Sequence, residues 1–229
     1  MTRLEFDGAA KSGREKVAVE IDDLVIAGWT GRDVDALNRH IEELKSIGVQ
    51  PPSTVPLFYR VAAQTLTQAD EIHVLGDDTS GEVEAVLVGA PDRLWVTVGA
   101  DHTDRTLESY GVAVSKQVCP KVVGRTAWRF EEIEPHWDRL MLRSFIEEGG
   151  QKVLYQEGPL AKIRAPRELI AGWNNGDKRL PAGVAMFCGT LPAIGAIRPS
   201  PRFEMEIEDP VLGRTLSHAY RVRALPVVS

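Results

Sequence analysis

Cysteine is scarce in this chain of 229 residues: Cys119 and Cys188 stand alone, far apart and without a Cys-x-x-Cys spacing. That excludes a disulfide framework and a paired-thiolate zinc site, and leaves both as reduced structural residues. No run of about eighteen apolar residues occurs, so nothing reads as a membrane span. Lysine and arginine form no cluster and the net charge is −6, so a basic face for nucleic acid is not expected. The opening MTRLEFDGAAKSGREK lacks the apolar core of a signal peptide. No phosphate loop of the GK[ST] type is present. These absences predict a soluble, cytoplasmic protein whose partner is a small molecule.

What is present is ordinary globular material. Hydrophobic residues make up 43%, enough for one large domain or one with a small extra lobe. Gly 20 and Pro 14 suit a turn-rich fold and argue against disorder. Val17, Val19 and Ile21 alternate with Ala18, Glu20 and Asp22 as in a strand. In TGRDVDALNRHIEELKSIG, Val34, Leu37, Ile41, Leu44 and Ile47 follow the helical period, and Gly48 is a stop. PPSTVP enforces an extended link. EIHVL, EVEAVLV and RLWVTVG read as short strands. DRLMLRSFI and KVLYQ flank EEGGQ as a hairpin, and APRELIAGW is a short helix closed near Gly176. AGVAMFCG and RFEMEIE are late strands. The fold class is mainly β (α+β), with helices on one flank. Residues 1–29 read as an N-terminal strand segment ahead of a domain over 30–229, or as part of one domain over 1–229.

The segment GEVEAVLVG raises the first chemical question. Glu82 and Glu84 point the same way from a strand, roughly 6 to 7 Å apart. They are either a solvated strand end or half of a metal site. The same face continues as Val86 and Val88, so acids on it need a partner. Oxygen-only ligands favour a hard ion such as Mg2+, Mn2+ or Ca2+. In GADHTDRTLESYG, Asp101, His102 and Asp104 cluster at a strand end. One carboxylate there can bind metal while Thr103 or Asp104 caps a short helix. His40 lies at the edge of the apolar stripe of its helix with Glu43 beside it and Glu42 opposite. The pair is a surface contact or an imidazole held in one tautomer as a base. Lys116, in VAVSKQVCP, is a solvated lysine or a cation for a substrate oxygen. CGTLPAIG offers backbone N–H groups and Thr190 to an oxyanion, or is a plain turn.

The order of these motifs resembles the fumarylacetoacetate hydrolase superfamily, in its acylpyruvase-like members, and more narrowly a bacterial branch of unknown function. The resemblance covers roughly residues 35–225. It rests on His40-x-x-Glu43, on PLFYR with Phe58 and Arg60 in place of lysine, and on EVEAVLVG. It rests further on ADHTDRTLE with Asp101 and Arg105, on Lys116, on Gln156 after the hairpin, and on AGVAMFCGTLP with Gly189 and Thr190. Departures fall at Ala36 and Leu37, at Gln117, Val118 and Cys119, and at Leu191 in place of a final proline.

The resemblance implies a mixed β-roll with a few flanking helices. It implies Mg2+ or Mn2+ held by Glu82, Glu84 and Asp101, with His40, Glu43 and Lys116 catalytic. Arg60, Arg105, Gln156, Gly189 and Thr190 would bind substrate. The implied activity is hydrolysis of a C–C bond in an acylpyruvate-like or 2-oxo acid substrate through a metal-bound enolate. Decarboxylation, isomerisation or hydration of a 2-oxo acid is the neighbouring expectation. A catalytically silent small-molecule-binding protein is the alternative of another class. A homodimer is implied by the resemblance alone.

Overall fold

A computed structural model describes residues 1–11, 13–46 and 51–228, without the side chains of residues 40 and 43–46. The chain opens with β1 (Thr2–Ala10), β2 (Gly13–Ile21) and β3 (Asp23–Gly28), then helix α1 (Val34–Ser46) and β4 (Leu57–Ala62). Short strands β5 (Leu66–Thr67), β6 (Glu71–Leu75) and β7 (Thr79–Ser80) lead to β8 (Val83–Gly89) and β9 (Leu94–Asp101). Next come β10 (Thr103–Asp104), helices α2 (Arg105–Glu108) and α3 (Val112–Gln117), β11 (Lys121–Val123), β12 (Thr126–Arg129) and α4 (Phe130–Ile133). The chain closes with β13 (Met141–Glu148), β14 (Gln151–Pro159), α5 (Pro166–Trp173), β15 (Val184–Phe187), β16 (Arg202–Asp209) and β17 (Arg214–Leu225).

Beside a small two-stranded sheet in which β7 pairs with β10, two large sheets carry the molecule. The larger has ten strands, with the path β2-β1-β12-β9-β8-β15-β3-β4 and β11 and β5 attached beside β9. The smaller has five, in the order β14-β13-β16-β17-β6. All seven residues of β8 are buried, which is why VEAVLVG is apolar but for Glu84. Val83, Ala85 and Leu87 face one core, shared with Phe203, Met205 and Ile207 of the smaller sheet. Val86 and Val88 face a second core inside the curl of the large sheet, with Leu4, Phe6, Trp95 and Phe187. This is the mainly β, α+β architecture expected.

Local chemistry sets the details. Gly149 and Gly150, at φ 57° and 78°, form the two-residue turn of the β13–β14 hairpin, where both central residues need positive φ. A bulge in that hairpin, at Ser144/Phe145, lets Tyr155 and Gln156 both turn inward in succession. The strands of residues 1–29 join the large sheet: β1 pairs with β12, and β3 with β15 and β4. Within that strand segment β1 was not singled out by itself, although Leu4 and Phe6 alternate with Glu5 and Asp7.

Candidate metal centre

Strand register brings the acids together. Glu84 lies opposite Gly99 in the antiparallel β8–β9 pair, and the Asp101 N–H donates to the Glu82 carbonyl at 2.9 Å. Opposed residues share a face, so Glu82, Glu84 and Asp101 project from one side of the large sheet. One carboxylate oxygen from each lies within 4.8 Å of the others. Gly99 leaves the room beneath them: a methyl group there would sit 2.6 Å from Val86 Cγ2 and 2.9 Å from the Phe187 ring.

Burial makes this expensive unless cations answer it. Asp101 is 0% exposed and Glu84 2%. Lys116 Nζ donates to Asp101 Oδ2 and stands 3.6 Å from Glu82 Oε2. Lys121, fully buried and paired with Asp101 across β11–β9, places Nζ 3.0 Å from Asp101 Oδ1 while donating to the His102 carbonyl. Arg105 reaches Glu82 Oε1 at 3.0 Å, Ser80 Oγ at 2.7 Å and Glu108 at 3.0 Å. The three carboxylates thus meet three fixed cations.

The titration of the groups follows from those neighbours. Burial, reinforced by Asp101, pushes the Glu84 carboxyl well up, against a Gly189 N–H bond at 2.5 Å. Burial also pushes at Asp101, but Lys116 and Lys121 hold it down to about 2. Burial works against the charge on Lys116 too, and Asp101 and Glu82 outweigh it, so its value rises. For Lys121 burial prevails and its value falls.

Does this set fit a divalent cation? Three hard oxygen ligands converge, and Asp101 Oδ1 is buried without accepting a hydrogen bond among the described residues. Lys121 Nζ stands 3.0 Å from that oxygen and answers its charge. The Lys116 ammonium supplies positive charge among the three acids, where a metal ion would supply it. The donor set fits a hard ion.

The other sequence-predicted residues divide into two groups. Gly189 and Thr190 reach the cluster from the loop after β15. Gly189 has φ 98°, and a side chain there would collide with Thr30 Oγ1 at 1.8 Å. Gln156 stands behind that loop with its hydrogen bonds already committed. Its Oε1 accepts from Val83 N at 3.1 Å and Ser144 Oγ at 2.8 Å; its Nε2 donates to Thr190 Oγ1 at 2.9 Å and Leu191 O at 2.6 Å. Its geometry is that of a clamp between β8 and the loop, not of a free substrate ligand. Asp104 N-caps α2 by accepting from Leu107 N at 2.9 Å, so the two aspartates of the motif part as the sequence allowed. His102 turns to the opposite side from Asp101. Its ring nitrogens meet Tyr220 at 3.0 Å and Thr79 at 2.9 Å, and burial, with Lys121 and Arg105, brings it down to about 3.

Arg60 is not brought to the cluster. It pairs with Asp23 and stacks over Trp173, on the face of β4 opposite Tyr59. The side chains of His40 and Glu43 lie outside the described residues, although the α1 backbone that carries them is described. Two residues at the site were not singled out from sequence. Lys121 stands in the otherwise apolar VCPKVV, a signal of a charge carried into a core. Tyr59, between Phe58 and Arg60, has its ring centroid 5.8 Å from Lys116 Nζ.

A family model described as "Protein of unknown function (DUF2848)" matches residues 27–220. The chain belongs to this family. No curated protein sequence matches it. Among solved structures, a candidate fumarylpyruvate hydrolase from Burkholderia cenocepacia is similar at 19% identity and TM-score 0.64 over 99% of this chain and 94% of that one. A candidate fumarylacetoacetate isomerase/hydrolase from Oleispira antarctica is similar at 17% identity and TM-score 0.64, over 97% of this chain and 100% of that one. A 2-keto-3-deoxy-D-arabinonate dehydratase complexed with magnesium and 2,5-dioxopentanoate gives 19% identity and TM-score 0.62, over 90% of this chain and 75% of that one. This DUF2848 member therefore has the fumarylacetoacetate hydrolase fold that its motif order resembled.

Proposed function

We propose that this chain is a divalent-metal-dependent enzyme that hydrolyses a C–C bond in an acylpyruvate-like 2-oxo acid. The observation that carries this reading is the convergence of Glu82, Glu84 and Asp101 within 4.8 Å, with Lys116 at the same point. Those three carboxylates would hold Mg2+ or Mn2+. A bound cation would act as a Lewis acid toward the chelating oxygens of the substrate. Arg105 fixes the Glu82 carboxylate, and Gly189 fixes that of Glu84. Lys116 would neutralise charge growing on a substrate oxygen, while Arg105 holds Glu82 and Glu108 in place. Gln156 and Thr190 would hold the loop in register. His40, with Glu43 one turn along, would take the proton from the attacking water. The water oxygen joins the acyl carbon as the C–C bond breaks, and the proton returns to the carbon of the released 2-oxo acid.

The fold alone does not choose the reaction; the magnesium-bound structural neighbour is a dehydratase. The test is calorimetric titration with Mn2+, followed by product analysis on a panel of 2-oxo and 2,4-dioxo acids. Glu82→Gln and Asp101→Asn should each abolish Mn2+ binding, while Asp104→Asn should retain it. His40→Ala should cut turnover with the metal still bound. Essential Asp104 with dispensable Asp101 would overturn the ligand set. Decarboxylated or dehydrated products would replace hydrolysis with that reaction, and binding without turnover would leave a silent binding protein.

A further inference from the structure

Strand β3 ends in an unusual way. Trp29 follows Gly28 with φ 59°, a left-handed conformation that bulky L-residues rarely adopt. Such backbone persists where the surroundings over-determine it, and it concentrates at functional sites. Here it turns the indole toward Tyr59, and Trp29 Nε1 donates to the Tyr59 hydroxyl at 3.4 Å. Gly28 leaves room for the tyrosine: a methyl group on it would lie 2.8 Å from Tyr59 Cε2. The ring is therefore laid along the end of β3 and held from behind. Lys116 Nζ stands over the ring, 5.8 Å from its centroid. Both aromatic residues remain partly exposed. The order outward from the acids is thus Asp101 and Glu82, then Lys116, then the tyrosine ring, with the indole beyond it.

We infer that Tyr59, backed by Trp29, is the specificity-determining wall of the site, and that it selects a chelating acid whose remaining part is flat and apolar. This rests on the metal reading above. A substrate with its chelating oxygens at the acids and one oxygen at Lys116 has its next atoms beside the group Lys116 already faces. That group is an aromatic ring, which rewards a planar, apolar neighbour by stacking. The indole N–H occupies the tyrosine oxygen, so the ring is fixed before substrate arrives and little ordering is left to be done on binding.

The experiment uses the full chain loaded with Mn2+ and compares acetylpyruvate with benzoylpyruvate, which share a chelating head and differ in a methyl or a phenyl tail. Oxalate serves as the tail-less control. Wild type should prefer benzoylpyruvate in kcat/KM, or in Kd if turnover is absent, by about tenfold or more. Tyr59→Ala should bring the ratio to within about threefold, any change in oxalate affinity being common to all three ligands and absent from the ratio, whereas Tyr59→Phe, which keeps the ring and loses the indole bond, should keep most of the ratio. Gly28→Ala, which displaces the ring without removing it, should give an intermediate ratio. An unchanged ratio in Tyr59→Ala, or none in wild type, overturns the inference while the metal reading stands. Failure of wild type to bind oxalate with Mn2+ overturns both.

Discussion

At the scale of single residues, the site is a problem in charge placement. Two carboxylates of the triad sit in nearly the same burial, yet Glu84 is driven up and Asp101 down to about 2. The difference lies in their partners: Asp101 has two ammonium groups, whereas Glu84 has an amide N–H and sits beside the charge on Asp101. The linkage to stability has opposite signs. Asp101 contributes stability above the ordinary carboxylate range, and it is lost as pH falls toward about 2. Glu84 contributes below that range, and its contribution is lost as pH rises through its raised value. A metal ion needs Glu84 unprotonated, so it competes with that proton. Mn2+ affinity should therefore keep rising with pH above the ordinary carboxylate range, with proton release on binding. Calorimetry in two buffers of different ionisation enthalpy measures this. Affinity flat with pH and without proton release would mean that Glu84 is already ionised in the metal-free protein.

At the scale of elements, legibility followed what is local. The period-two spacing of Glu82 and Glu84 is written along one strand, so the sequence shows it directly. The placement of Asp101 beside them needs the β8–β9 register, and only motif order supplied it. Lys121 and Tyr59 were missed because their importance arises across strands: Lys121 from its pairing with Asp101, Tyr59 from the curl that sets β4 near α3. Arg60 shows the converse. It occupies the motif position of a lysine, yet strand alternation sends it to the face away from Lys116. Gln156 was legible as a position but not as a clamp, since its partners come from β8, β13 and the loop after β15. Replacing it with leucine would leave the Val83 N–H buried without its acceptor and remove both ties to residues 190 and 191. An unpaired buried donor costs about 1–3 kcal/mol, so Gln156→Leu should lose about 2–3 kcal/mol. Urea denaturation reads it as a lowered midpoint at constant slope. A loss under about 1 kcal/mol would show that the clamp is repaired by water.

At the scale of the whole molecule, the question is how much of the chain the site needs. The family match begins at residue 27, close to the end of β3, and leaves β1 and β2 outside it. The sequence likewise allowed residues 1–29 to be a separate segment. Packing points to an integral role, because Leu4, Phe6, Val19 and Ile21 are buried in the core that lies beneath Glu84. Gly8 is part of the same fit: a methyl group on it would come 2.8 Å from the Trp95 ring. Each of the four apolar side chains is worth about 1.5–3 kcal/mol on burial, roughly 6–12 kcal/mol together. That is comparable with the whole stability of a typical domain, about 5–15 kcal/mol. Deleting residues 1–21 also removes one of the two strands that pair with β12, leaving β9, and uncovers Trp95. A chain of residues 22–229 should therefore fail to fold cooperatively at 25 °C, as followed by near-ultraviolet circular dichroism and thermal melting, and should bind no Mn2+. A cooperative transition within about 2 kcal/mol of the full chain would instead make the hairpin an appendage. The floor of the metal centre would then be held by β3, β8, β9 and β15 alone.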